Sequence, residues 1–141
     1  MTGFNHTLAG CVIAVMSPAP LAPLLAFSSH FVLDALPHFG RSARFRPYTR
    51  EFKWLLVFDA LLCFISLGLA IWVFPALWWL LIICALTATL PDFLWLFNGK
   101  IAWLNGFYKF AGDIQWGERP WGWILELVYA VLFITTLYWL S

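Results

Sequence analysis

The sequence predicts an all-α fold, a polytopic integral membrane bundle of about five helices with the first short or re-entrant. Three observations lead there. The 141 residues are 63% hydrophobic, 20% aromatic and only 11% charged, whereas a soluble domain carries about 25% charged residues. So few charges cannot cover a water-facing surface, and lipid is the solvent that accommodates the excess apolar area. All eight Lys and Arg residues fall in two segments, Arg41 to Lys53 and Lys100 to Arg119, and none lies in the apolar stretches. Prolines then divide those stretches into helix-sized pieces. The length suits one membrane-embedded domain over residues 1–141, with no room for a separate soluble module.

Each element follows from the pattern. An apolar piece near 6–16 is broken by Ser17-Pro18-Ala19-Pro20, and a second runs over about 21–36 until Pro37 disfavours helical geometry at Leu36. The first is shorter than the ~20 residues that cross a bilayer, so a half-depth helix packed against its neighbours is expected. Gly40 to Lys53 is a polar basic loop. Spans are expected over 53–74 and 76–97, separated by Pro75, with Pro91 interrupting the second late. Residues 98–120 mix glycine, aromatics and charge, as an interfacial segment does, and 121–140 is the last span. Cys11, Cys63 and Cys84 are scattered in apolar sequence and read as small hydrophobes. Leu8-Ala9-Gly10-Cys11 matches a lipoprotein cleavage box by letter, without the basic and apolar segments that should precede one. The Asn5-His6-Thr7 sequon reads as chance.

Charge orients the chain. The 41–53 loop holds five basic residues and one acid, and the 98–120 segment three basic residues and two acids. By the positive-inside rule both face the cytoplasm. The amino terminus is then cytoplasmic and the carboxy terminus external. Tryptophans near the span ends, among them Trp54, Trp72, Trp78 and Trp121, fit an aromatic belt. A net charge of +1 gives no reason to expect a nucleic-acid partner. The lipid bilayer is the expected partner, and short helices with large lateral faces leave room for a homo-oligomer.

On this topology the polar residues converge. His6 opens the first helix, His30 and Asp34 close the second, and His38 lies just beyond. Asp59, Asp92 and Glu126 each lie five or six residues from the cytoplasmic end of a span. At about 1.5 Å per residue these groups fall within roughly 10 Å of one boundary. A carboxylate in lipid costs several kcal/mol. A divalent cation offsets that cost by keeping carboxylates ionised and imidazoles neutral. Nitrogen and carboxylate oxygen together suit zinc, with manganese or iron as alternatives, better than calcium. The sharpest pattern is His30-x-x-x-Asp34-x-x-Pro37-His38, because residues at i and i+4 share a helix face. His6, His30, Asp34, His38, Asp59 and Asp92 are therefore the candidate ligands, with Asp59 or Asp92 as candidate catalytic base. Asp92 follows Pro91 and can either cap the loosened turn or face the cluster. Glu126 is expected to bond Gln115 or pair with Arg119. Arg41, Arg44 and Arg46 are topogenic, and are candidates to hold a substrate phosphate.

The blocks His6-Thr7-Leu8-Ala9-Gly10, Ser29-His30-Phe31-Val32-Leu33-Asp34-Ala35-Leu36-Pro37-His38 and Leu90-Pro91-Asp92 resemble the bacterial membrane-bound metal-dependent hydrolase family. The His-x-x-x-Asp element followed by Pro-His is also similar to zinc-dependent phospholipase C, a likeness that implies His30, Asp34 and His38 as ligands with His6 completing the site. Two departures stand out: Leu36 and Pro37 occupy places where a second acid is frequent, and no histidine follows His38. The resemblance implies a bacterial membrane-bound metal-dependent hydrolase and fixes no substrate. The depth of the polar residues and the charge-based orientation lead to the expectation of an inner-membrane enzyme working at the cytoplasmic leaflet on a phosphoester or lipid-like substrate. An ion or metal transporter and a non-catalytic membrane scaffold are the alternatives, since intramembrane acids also mark ion pathways and buried networks.

Overall fold

The structure is a computed structural model that describes residues 1–40, 49–94, 97 and 100–141. It is mostly helical, with α1 (Gly3–Met16), α2 (Ala22–Ala35), α3 (Arg50–Val73), α4 (Trp78–Leu94), α5 (Asn105–Ile114) and α6 (Trp123–Leu140). Two features depart from the expected five-helix, all-α bundle. The interfacial segment contains a sixth helix, α5, and a two-residue strand β1 (His38–Phe39) pairs in parallel with β2 (Glu118–Arg119).

Three helical segments, Arg50–Val73, Pro75–Leu94 and Trp123–Leu140, are long and apolar enough to cross a membrane. Their outward faces carry large exposed apolar side chains such as Phe58, Phe64, Trp72 and Val131. At 14 residues each, α1 and α2 reach only about 21 Å.

Helix α1 is the axis of the bundle and packs against α2, α3, α4 and α6. Residues Asn5 to Cys11 are buried without a break, as expected of a helix enclosed on every side. Small residues let the helices approach: Cys11, Ala14, Ala22, Ala26, Ala70, Cys84 and Ala88 form the core with Leu80 and Leu81. Gly10 lies so close to α4 that a Cβ there would stand 2.7 Å from the Cys84 carbonyl oxygen.

The helix ends explain where the expected boundaries move. Helix α1 starts three residues before the expected position. Thr2 supplies no side-chain cap, but the Asp59 carboxylate on α3 accepts from the Gly3 amide at 2.9 Å and the Phe4 amide at 3.0 Å. Thr49 caps α3 by accepting from the Phe52 amide at 3.2 Å. Pro91 does not interrupt α4, which continues to Leu94. Beyond α2, Pro37 and His38 turn into β1, where His38 stands opposite Glu118 and Phe39 opposite Arg119. Tyr129 on α6 donates to the Pro37 carbonyl at 3.1 Å. Gly122 lies against the His38 carbonyl, where no Cβ fits.

Candidate metal centre

Three elements build the site. Helix α1 carries His6 on its second turn, α2 brings His30 and Asp34 on one face, and α4 closes it with Asp92 after Pro91. His6, His30 and Asp34 are 0%, 2% and 3% exposed. One ligand atom from each lies within 4.8 Å of the others, a group able to hold a metal ion.

Asp34 is the hub. Its Oδ1 faces His6 Nε2 at 3.1 Å and accepts from the Met1 amino group at 2.6 Å. Its Oδ2 lies 3.3 Å from His30 Nε2 and accepts from Gln115 Nε2 at 3.1 Å. The two imidazoles stack, with centroids 4.0 Å apart. Asp92, with a side chain 39% exposed, places Oδ1 3.8 Å from His30 Nε2 at the rim.

The tautomer of His30 is fixed from behind. Its Nδ1 lies 2.8 Å from the Ala88 carbonyl oxygen, an acceptor, so Nδ1 carries the proton. In neutral His30 the Nε2 lone pair therefore points at the carboxylates of Asp34 and Asp92. Only a positive charge between them, a second proton or a cation, makes that arrangement favourable. A backbone carbonyl behind a ligating imidazole is the usual support at metal sites. His6 Nε2 and His30 Nε2 meet different oxygens of Asp34, at 3.1 and 3.3 Å. His6 Nδ1 is buried with no hydrogen-bond partner among the described residues.

The other expected residues are placed differently. His38 is buried, outside the compact group, and its Nδ1 donates to the Leu36 carbonyl at 2.7 Å. Burial pushes this imidazole below its ordinary pKa. Both oxygens of Asp59 accept from the α1 amides. Arg41, Arg44 and Arg46 lie outside the described residues.

Glu126 does not bond Gln115 or Arg119 as expected. It accepts from the amide and hydroxyl of Thr2, from Asn5 Nδ2 at 2.6 Å and from the Phe39 amide at 3.3 Å. Arg119 instead donates to the carbonyls of Trp116 and Glu118.

Nothing in the sequence signals that Gln115 reaches Asp34. The geometry comes from α5, which docks on α2 through Phe31 against Phe107 and Phe110 at 6.1 and 5.4 Å. The Ala88 carbonyl carried no signal, because a backbone acceptor has none in a sequence. Asn5 had one, a polar residue beside His6 on an otherwise apolar helix.

No protein-family model, no curated protein and no solved structure matches the chain.

Proposed function

We propose that this chain is a metal-dependent hydrolase embedded in the bacterial cytoplasmic membrane. On this reading its amino terminus is cytoplasmic, and it acts at the cytoplasmic leaflet on a phosphoester or lipid-like substrate. The observation that carries the proposal is His30, whose Nδ1 proton is committed to Ala88 while Nε2 faces two carboxylates. His6, His30 and Asp34 would hold the ion, zinc being the best match to two nitrogens and a carboxylate. A divalent cation there supplies Lewis acidity toward a phosphoryl or acyl oxygen and lowers the pKa of water.

The chain's own groups do the rest. Asp92 sits at the rim with one oxygen near His30 and is suited to take a proton from the attacking water. Asp59 is less free to do so, because two amides already hold it. Gln115 orients the outer oxygen of Asp34. The apolar surroundings of α1 and α2 exclude bulk water and favour an amphiphile over a soluble ester. The basic residues of the 41–53 segment would supply charge for an anionic headgroup.

Metal analysis of the purified protein tests this reading. The expected result is one or two equivalents of a transition metal in the wild type, and loss of that metal in a folded His30→Ala variant. Wild-type protein that takes up no zinc, manganese or iron overturns it.

A further inference from the structure

Glu126 lies on α6 and is not part of the His6–His30–Asp34 group, yet its carboxylate is 7% exposed and fully engaged. Oε2 accepts from Asn5 Nδ2 at 2.6 Å and Thr2 Oγ1 at 2.7 Å. Oε1 accepts from the Phe39 amide at 3.3 Å, and the Thr2 amide lies 3.2 Å from both oxygens. Asn5 Nδ2 also donates to the Glu126 backbone carbonyl at 3.0 Å, so that residue grips Asn5 twice. Asn5 and Phe39 are the chain neighbours of His6 and His38.

Helix geometry turns this contact into a setting. Successive residues on a helix are rotated by about 100°. With Asn5 pinned toward α6, His6 is carried around to the α2 side, where His30 and Asp34 wait. Asp59 fixes α1 along its axis by binding the Gly3 and Phe4 amides. Those amide bonds hold the helix end but do not fix which side chain points where. The Asn5–Glu126 contact adds a side-chain restraint on the rotation of α1 at its first turn, beside the seating of Gly10 on α4 further along.

We propose that Glu126, acting through Asn5 and Phe39, is a positioning residue that sets the rotation of α1 and the place of β1. It thereby aims the His6 imidazole at Asp34 and fixes His38 beside the site. The proposal deepens the metal-site reading, and it rests on that reading only for its effect on metal affinity.

The chain has three histidines, which makes imidazole nitrogen NMR of metal-free protein a direct readout. In Glu126→Leu the carboxylate is gone, Asn5 Nδ2 loses its side-chain acceptor on α6 and the lock opens. The His6 resonances are expected to move, and zinc affinity to fall 10–100-fold, as for other outer-shell contacts. Glu126→Gln keeps a side-chain oxygen that can accept from Asn5 Nδ2, and it leaves the backbone carbonyl contact in place. It is expected to return His6 toward its wild-type position and to recover most of the affinity lost in Glu126→Leu. Should Glu126→Leu fail to fold, Asn5→Ala leaves the Thr2 and Phe39 contacts to Glu126 in place and is expected to move His6 while sparing His38.

Unmoved His6 resonances in folded Glu126→Leu or Asn5→Ala overturn the proposal. So does a folded Glu126→Gln protein with His6 displaced as far as in Glu126→Leu. A wild type that binds no metal sinks the hydrolase reading, yet leaves the metal-free resonances to decide the role of Glu126.

Discussion

Replacing Gly10 with alanine tests the packing that places His6. A Cβ at this position would stand 2.7 Å from the Cys84 oxygen, 2.9 Å from its carbonyl carbon and 3.1 Å from Ala85 Cα. All three are backbone atoms of α4 and cannot swing aside. Unstrained contacts of this kind lie near 3.5 Å, so α1 must back away from α4 by roughly 0.8 Å. Overpacking of that sort costs about 1–3 kcal/mol. The core contacts of Cys11 and Ala14 with Cys84 and Ala88 loosen with it. Gly68→Ala on α3 is the internal control, since nothing lies within 4 Å of its Cβ position. There the better helix propensity of alanine is expected to leave stability unchanged or raise it by up to about 1 kcal/mol. Unfolding of both variants in detergent micelles, followed by circular dichroism, reads the difference. A Gly10→Ala protein as stable as Gly68→Ala would show that α1 does not seat on α4 as described.

Three further outcomes follow from the site and its supports. Gln115→Ala removes the donor on Asp34 Oδ2 and is expected to weaken zinc binding about 10–100-fold, the usual effect of losing an outer-shell partner. Calorimetric titration measures it, and unchanged affinity would remove Gln115 from the site. Asp59→Ala leaves the first amides of α1 uncapped and is expected to lower stability by about 0.5–2 kcal/mol, the range for losing a helix cap. Metal stoichiometry of that variant should stay at the wild-type value, and a lost equivalent would make Asp59 a ligand. Burial holds the folded His38 imidazole below its ordinary pKa, so the unfolded chain takes up that proton first as pH falls. The stability from this group is therefore full above the unfolded value of about 6.5 and declines as pH drops through it. The melting temperature of His38→Gln should fall less between pH 7 and 5.5 than that of the wild type, and equal slopes would contradict the burial argument.

Much of this molecule was legible in the sequence because apolar runs and prolines obey simple helix rules. The apolar runs, the prolines and the confinement of Lys and Arg to two segments located the helices to within a few residues. His30 and Asp34 were legible as a pair because an i, i+4 spacing fixes a shared face. Helix α5 was hidden because residues 105–114 interleave glycine, charge and aromatics without a continuous apolar run. The β1–β2 pair is too short to carry any periodicity. The start of α1 was misplaced because its cap comes from Asp59, more than fifty residues away. Asp59 and Glu126 were readable as acids within apolar stretches, but their donors are backbone amides and small polar side chains of the first five residues, with the Phe39 amide added for Glu126. Only the folded chain brings those partners together.

The central claim is that His6, His30 and Asp34 hold a divalent cation. X-ray absorption at the zinc edge on protein reconstituted with one equivalent of zinc tests it most directly. Nitrogen and oxygen scatterers at about 2.0–2.2 Å, with an imidazole signature that weakens in both His6→Ala and His30→Ala, are the expected result. A spectrum of sulfur ligands, or one indifferent to both substitutions, would place the metal elsewhere and contradict the claim.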